Sequence, residues 1–532
     1  MPPEASLFSS RAHFWAFWGG CIAVTIGVLL HIPMFLMGRY THYKLAGMAM
    51  GNGMLFGMFL IVGGFLATAY GLLPHREHVI TYEEIAPPEN APLTKAHWTQ
   101  IIILAAALII DVMKAATLGF VTPGMRVEYG LTFAQVARLP FAGLLGTTVG
   151  SFLWGALADR YGRRASILLA AVIFMGTAIC GAMPSFSWNI VMCFLMGLGA
   201  GGMLPVAYAL LAEIMPTRHR GWCLVLVGGI GSIGGYFATS ALSALLQPHF
   251  GWRIMWLINM PIALILIFVS PILQESARFL QSMGRLQEAR DTLARFGVSL
   301  DPAKTASAEV QNLPDPLPLG SLSFLGVTAT LTLTALCVGF VNFGVLLWLP
   351  GDLIREGHSM GGASRILARS TLIAAPTIAI AAWLYSVWST KRTLILAVGA
   401  TTLGLVVILL RDTGILHTLS NPILPVTLIL IGNSGIISTL LPYAAENYPL
   451  RVRGRATGWV AGSSKSGGVF AQVLGMLALV PALDIAAGGV AIPCVLSLIL
   501  IALLGQETHN RDLRDLEITG SSSLETAQAV SE

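Results

Sequence analysis

The sequence predicts an all-α membrane protein with two six-helix halves and two further helices ahead of them, about fourteen crossings in total. Three observations carry that prediction. The chain of 532 residues is 55% hydrophobic and only 11% charged, whereas a soluble domain carries about 25% charged residues. Its apolar runs reach the roughly 20 residues that cross a bilayer as a helix. One motif recurs, in the same register, in both parts of the chain. The charge deficit argues against a soluble enzyme, a disordered chain and a nucleic-acid binder. The net charge of +5 asks for no polyanionic partner.

Two apolar runs come first, near 13–37 and 47–73, and form a hairpin over 1–74. The first run is longer than a signal-peptide core and no A-x-A site follows it, so it reads as a retained helix. A polar linker over 75–100 contains Glu83, Glu84, Pro87 and Pro88. The first half, 101–273, holds runs near 101–123, 138–158, 165–184, 188–212, 222–246 and 254–273. A hydrophilic linker spans 274–323. The second half, 324–505, holds runs near 324–350, 366–387, 393–411, 421–443, 455–481 and 485–505. The tail, 506–532, is polar and Ser-rich and reads as disordered. Cys21, Cys180, Cys193, Cys223, Cys337 and Cys494 all fall in or beside apolar runs without CxxC spacing, which points to buried free thiols.

Glu213-Ile-Met-Pro216-Thr-Arg218-His-Arg220-Gly221 matches Glu446-Asn-Tyr-Pro449-Leu-Arg451-Val-Arg453-Gly454. Each copy ends the fourth run of its half. Gly234 and Gly235 pair with Gly467 and Gly468 in the same register. An even number of helices separates the copies, so the repeat is parallel, an architecture of secondary transporters. Arg160, Arg163, Arg164, Arg218, Arg220, Lys391, Arg392, Arg451, Arg453 and Arg455 fall on one face, joined by Arg278, Arg285, Arg290 and Arg295 of the linker. That face is expected to be cytoplasmic, with both termini inside.

The strongest local motif is Gly155-Ala-Leu-Ala-Asp159-Arg160-Tyr-Gly162-Arg163-Arg164. Gly155 is expected to let a neighbouring helix approach closely, and Asp159 to face a helix N-terminus. A basic loop that only sets topology is the plainer reading. The segment resembles the loop between helices two and three of the major facilitator superfamily. The Glu213 and Glu446 stretches resemble that family's E-x-x-P-x-R-x-R-G helix ends. Gln274-Glu275-Ser-Ala277-Arg278-Phe-Leu, with Gly284-Arg285 and Glu288-Ala289, is similar to the segment after helix six in sugar porters and their organic-ion and synaptic-vesicle-type relatives. Gln274 and Ala277 stand where those relatives have prolines. Trp388-Ser-Thr-Lys391-Arg392, the equivalent loop of the second half, lacks the Gly and Asp. The resemblance covers about 100–505 and implies a cytoplasmic charge network of Asp159, Arg163, Glu213 and Arg220 that breaks as the halves rock. Its counterpart would use Glu446 and Arg453, and static anchoring is the alternative role.

Asp111 and Lys114 sit mid-run in the first helix of the twelve. Charges at membrane depth are costly and face a cavity or a partner. Their spacing of three puts them on one face, close enough to pair. Measured back from Gly119 and Pro123, they align with the two acids of the Asp-Gly-x-Asp motif of aromatic-acid proton symporters, with Lys in place of the second Asp. Asp111 is then the candidate proton carrier, and Lys114 its tuner or an anion contact; a structural ion pair is the alternative. Lys465, in Gly462-Ser-Ser-Lys465-Ser-Gly-Gly, is the third membrane charge. It either opens on the cavity or snorkels to the cytoplasmic interface. Asn342, Asn433, Tyr208 and Gln472 are uncharged cavity candidates. Trp348 and Tyr236 could stack on a planar substrate, and Arg365 with Arg369 could meet an anion or lipid headgroups. Gly197-Leu-Gly199-Ala-Gly-Gly202 satisfies G-x-G-x-x-G but lies in an apolar helix, so it signals helix packing.

The expected function is secondary active transport of a small organic anion, an aromatic or aliphatic carboxylate, by proton symport across a bacterial inner (plasma) membrane. Export of amphiphilic or toxic compounds, a sugar-type porter and a non-transporting receptor are the alternatives. An enzyme is not expected, since P-loop, H-E-x-x-H and G-x-S-x-G motifs are missing. The partners are a solute, protons and lipid. No cofactor or metal is called for; the proton gradient supplies the drive.

Overall fold

The computed structural model describes residues 10–73, 92–297, 322–412, 421–448, 450–479 and 483–508. The described chain is helical. Its principal helices are α1 (Arg11–Leu29), α2 (Asn52–Leu72), α3 (Lys95–Glu128), α4 (Arg138–Tyr161), α5 (Arg163–Gly176), α6 (Phe186–Ala200), α7 (Met203–Ile214), α8 (Thr217–Phe250) and α9 (Asn259–Val269). They continue as α10 (Leu322–Phe340), α11 (Leu346–Arg355), α12 (Met360–Ala374), α13 (Thr377–Val387), α14 (Thr390–Asp412), α15 (Ile423–Asn447), α16 (Leu450–Met476) and α17 (Leu483–Leu504).

Among the described residues, 12 helices are long and apolar enough to cross a membrane, not the expected fourteen. Two expected runs fall short, for separate reasons. The run near 254–273 is split by a turn at Ile258 and leaves a shorter apolar helix. The run near 455–481 forms α16, whose Ser463, Ser464, Lys465, Ser466 and Gln472 make it polar for its length. Linker boundaries shift as well. α3 begins at Lys95, inside the expected polar linker, and the rest of that linker up to residue 91 lies almost wholly outside the described residues. The second linker holds short helices Ala277–Ser282 and Leu286–Arg295. The start of the tail is not loose: Tyr443 Oη donates to the Gln506 carbonyl at 2.6 Å. Residues beyond 508 lie outside the described residues.

α1 and α2 run antiparallel, packed backbone to backbone through glycines seven residues apart. A Cβ on Gly64 would lie 2.7 Å from the Gly20 carbonyl, and one on Gly57 2.7 Å from that of Gly27. Small residues at such crossings let helices gain dispersion contacts that lipid would otherwise supply. This pair leans on α5, where Thr25 Oγ1 reaches Met175 Sδ at 3.4 Å, and on α9, where Trp18 stacks on Phe268.

Its connecting loop is held by one buried acid. Glu128 Oε1 accepts from the Leu45 and Ala46 N–H groups at 2.7 and 3.0 Å and from Arg253 at 2.7 Å; Oε2 accepts from Trp252 Nε1 at 2.8 Å. Arg253, 0% exposed, also donates to the Met183 carbonyl and the Tyr129 hydroxyl. A buried charge pair needs such added partners, although the Arg253 Nε has none among the described residues.

Candidate functional site

α3 carries Asp111 and Lys114 to the middle of the bundle, but it does not pair them. No ion pair joins them, and neither Asp111 Oδ1 nor Lys114 Nζ has a hydrogen-bond partner among the described residues. The expected pairing is corrected by direction. Lys114 is fully buried and points back toward α5, with its Nζ 4.0 Å from the centre of the Phe174 ring.

Lys465 does not snorkel. Its ammonium crosses to α4 and to the α6–α7 junction, where it meets Ser151 Oγ, the Gly201 carbonyl at 3.2 Å and the Thr147 carbonyl at 3.5 Å. The acceptors have a sequence origin. Pro205 has no N–H to offer the carbonyl four residues earlier, so Gly201 keeps a free lone pair in mid-bundle. Ser151 Oγ lies 2.8 Å from both the Gly201 and the Thr147 carbonyl, and its single proton serves one or the other.

Two uncharged candidates meet: Asn433 Nδ2 donates to Asn342 Oδ1 at 3.0 Å. Asn342 lies in a π-helical turn, Val341–Val345, between α10 and α11. Such turns are common at functional sites, and nothing in the local sequence announced this one. Gln472 Nε2 donates to the Phe343 carbonyl. The carbonyl oxygens of Asn433 and Gln472 and the Tyr208 hydroxyl are buried without partners among the described residues. Of these residues Gln472 lines a cleft with about 390 Å³ of empty space, part of it open to solvent, together with Thr122, Pro123, Phe133, Leu347 and Trp348. Tyr236 is not available for stacking on a substrate: it is buried against Phe120 and donates to the Leu346 carbonyl. Arg365 and Arg369 are exposed.

At the α4–α5 turn, Arg163 joins Glu213 at 3.0 Å and Asp159 at 3.3 Å. Asp159 is 80% exposed and Glu213 17%, so Glu213 is the stronger partner. Arg160 lies over Tyr161. Two expectations are corrected here. Nothing lies within 4 Å of a Cβ on Gly155; the close crossings sit earlier on α4, where a Cβ on Gly146 would be 3.0 Å from Leu198 N. Nor does Asp159 face the helix N-terminus. That place is taken by Glu275, which accepts from the Arg163 and Arg164 N–H groups at 3.0 and 3.1 Å. A carboxylate is favoured there by the unsatisfied N–H groups and the helix dipole. Burial nonetheless pushes the Glu275 carboxyl above its ordinary range, against the pull of its backbone donors and of Arg163.

Glu507 does the same for α14, accepting from Thr390 N at 3.0 Å, Thr390 Oγ1 at 2.8 Å and the Ser389 hydroxyl. The signal was present in Gln274-Glu275-Ser276 against Gln506-Glu507-Thr508. It went unread because the two copies follow different helices of unlike sequence. Glu446 Oε2 accepts from Tyr385 Oη at 2.8 Å and Thr508 Oγ1 at 2.7 Å. Glu446 also reaches across the repeat, 3.7 Å from a Cβ built on Gly221, the neighbour of Arg220. The side chain of Arg453 lies outside the described residues.

The chain is 26% identical to the niacin transporter NiaP of Acinetobacter baylyi over 441 residues, 80% of this chain and 98% of that one. It is 26% identical to the 4-hydroxybenzoate transporter PcaK of the same organism, over 73% of this chain and 86% of that one. A partially occluded inward-open structure of the xylose transporter XylE from E. coli superposes with a TM-score of 0.63 at 16% identity. That alignment covers 79% of this chain and 100% of XylE. The family model of the Major Facilitator Superfamily matches residues 103–511; α1 and α2 lie ahead of that match. By that match this chain is a member of the Major Facilitator Superfamily, a secondary transporter and not an enzyme.

Proposed function

We propose that the protein is a proton-coupled symporter for a small aromatic carboxylate. The observation that carries this reading is a buried carboxyl, Asp111, within the first six helices and a cation, Lys465, that reaches among those helices from the second six, each with no opposite charge in hydrogen-bond contact among the described residues. An unpaired carboxyl at membrane depth is a proton acceptor that changes charge without moving an ion far. A mobile ammonium opposite it suits an anion. Niacin and 4-hydroxybenzoate, named for two relatives, are both single-ring carboxylates.

In this reading the solute sits between the two groups of six helices, 101–273 and 324–505, near Asn342, Asn433, Tyr208 and Gln472. Asp111 takes the proton, and Lys465 receives the carboxylate. Arg163, Glu213, Arg220, Glu446 and Arg453 gate the Arg163 side, which faces the cytoplasm of a bacterial cell. The helix ending at Val269 and α16, added to the twelve, bring the crossings to fourteen, with both termini inside. One charge moving through 100 mV gains about 2.3 kcal/mol, enough to concentrate an anion carried with surplus protons.

The test is proton flux into proteoliposomes loaded with a pH dye. Aromatic acids, short carboxylates and sugars are added in turn, with Asp111→Asn as control. Acid-induced proton entry that the variant loses is the expected result. Silence to every acid, in counterflow as well as in proton flux, would overturn it.

A further inference from the structure

The Lys465 ammonium rests on neutral acceptors alone, a hydroxyl and two main-chain carbonyls. Each lies on helices from the other side of the repeat. The cluster is built rather than incidental. Pro205 frees the carbonyl of Gly201, the residue that caps the C-terminus of α6, that carbonyl accepts from the cation, and the Ser151 hydroxyl lies between the Gly201 and Thr147 carbonyls. A cation in low dielectric prefers a carboxylate to neutral oxygens. Among the described residues no carboxylate is in contact with it. Lys465 therefore has a stable place without an anion and a better one with it.

We propose that Ser151, with the Gly201 and Thr147 carbonyls, forms a resting dock for Lys465 that fastens α16 to α4 in the empty carrier, and that a substrate carboxylate draws the ammonium off it. The second half of this statement rests on the organic-anion reading above; the dock itself does not. Ser151 is then a positioning residue. It sets how much of the substrate's binding is spent on releasing Lys465, and so sets apparent affinity without touching the substrate. Pro205 acts one step further back, by keeping the Gly201 carbonyl available.

The experiment has two arms on the full-length purified protein. The first is thermal unfolding of Ser151→Ala, Lys465→Met and the double variant, without any solute. The expected result is strong coupling: Ser151→Ala lowers Tm in the parent and not in the Lys465→Met background. Additive shifts would overturn the dock. The second arm is uptake of 4-hydroxybenzoate and niacin by proteoliposomes. Ser151→Ala is expected to lower KM several-fold, Ser151→Thr, which keeps the hydroxyl, to restore it, and Pro205→Ala to lower it in the same direction. A merely structural Ser151 would leave KM unchanged or raise it, and that result overturns the proposal. Coupled unfolding with no transport of any acid would uphold the dock and defeat the organic-anion reading instead.

Discussion

Glu275 and Glu507 hold equivalent places at the two copies of the repeat. Each carboxylate closes the N-terminus of a helix that begins with a basic stretch, Arg163-Arg164 in one case and Lys391-Arg392 in the other. The loop motif itself survives only in the first copy, yet the cap is kept in both. The N-terminal N–H groups of a buried helix must be satisfied whichever residues surround them.

Removing either cap leaves buried donors unsatisfied. Glu275→Ala and Glu507→Ala are each expected to cost about 1–3 kcal/mol, read as a lower Tm in detergent, with Glu→Gln milder at both sites. The pH dependence follows from burial. Because the folded Glu275 carboxyl is raised, its stabilising contribution is complete below the unfolded pKa and is lost as pH climbs through the folded one. Glu275→Gln should flatten that part of the Tm–pH profile.

Glu128 fixes the loop between α1 and α2 to the end of α3. Glu128→Ala strands Arg253 in the interior and should cost about 3–5 kcal/mol. Glu128→Leu with Arg253→Leu removes both charges together and should recover much of the loss. Thermal unfolding of the two variants separates the ion pair from the loop contacts.

The glycine crossings of α1 and α2 give a paired test. Gly64→Leu drives a side chain into the Gly20 backbone and is expected to cost about 1–3 kcal/mol or force the helices apart. Gly63→Leu, with nothing within 4 Å of its Cβ, should be neutral. Equal effects at the two positions would show that this packing is not what holds the pair.

In the charge cluster the partners of Arg163 are unequal. Asp159→Asn removes an exposed pair worth about 0–1 kcal/mol and should leave transport nearly unchanged. Glu213→Gln removes the partner that is mostly shielded and should slow transport several-fold. Initial uptake rates of the two variants decide it.

Lys114 gives the clearest separation of stability from function. A fully buried ammonium that lies over an aromatic ring, with no hydrogen-bond partner among the described residues, is costly. Lys114→Met is expected to hold or raise Tm. If Lys114 serves proton coupling beside Asp111, the same variant loses acid-driven proton uptake while still exchanging solute in counterflow.

The sequence alone tells that the chain is helical and membrane-embedded, that one motif occurs twice in parallel register, and that Asp111, Lys114 and Lys465 are charges within its apolar runs. These properties are local: apolar run length, charge spacing and repeated letters are read along one strand of residues. The tertiary structure decided who meets whom. Spacing of three suggested an Asp111–Lys114 pair, but side-chain direction and helix rotation turned Lys114 to Phe174 and left Asp111 Oδ1 without a hydrogen-bond partner among the described residues. Pro205 looked like one more helix residue until Ser151 and Lys465 converged on the carbonyl it frees. Gly155 stood in the strongest motif, yet the close crossings fell at glycines outside it. Depth in the bilayer is written into the sequence, whereas facing depends on how helices distant in the chain rotate and cross, and that is settled only when all of them pack together.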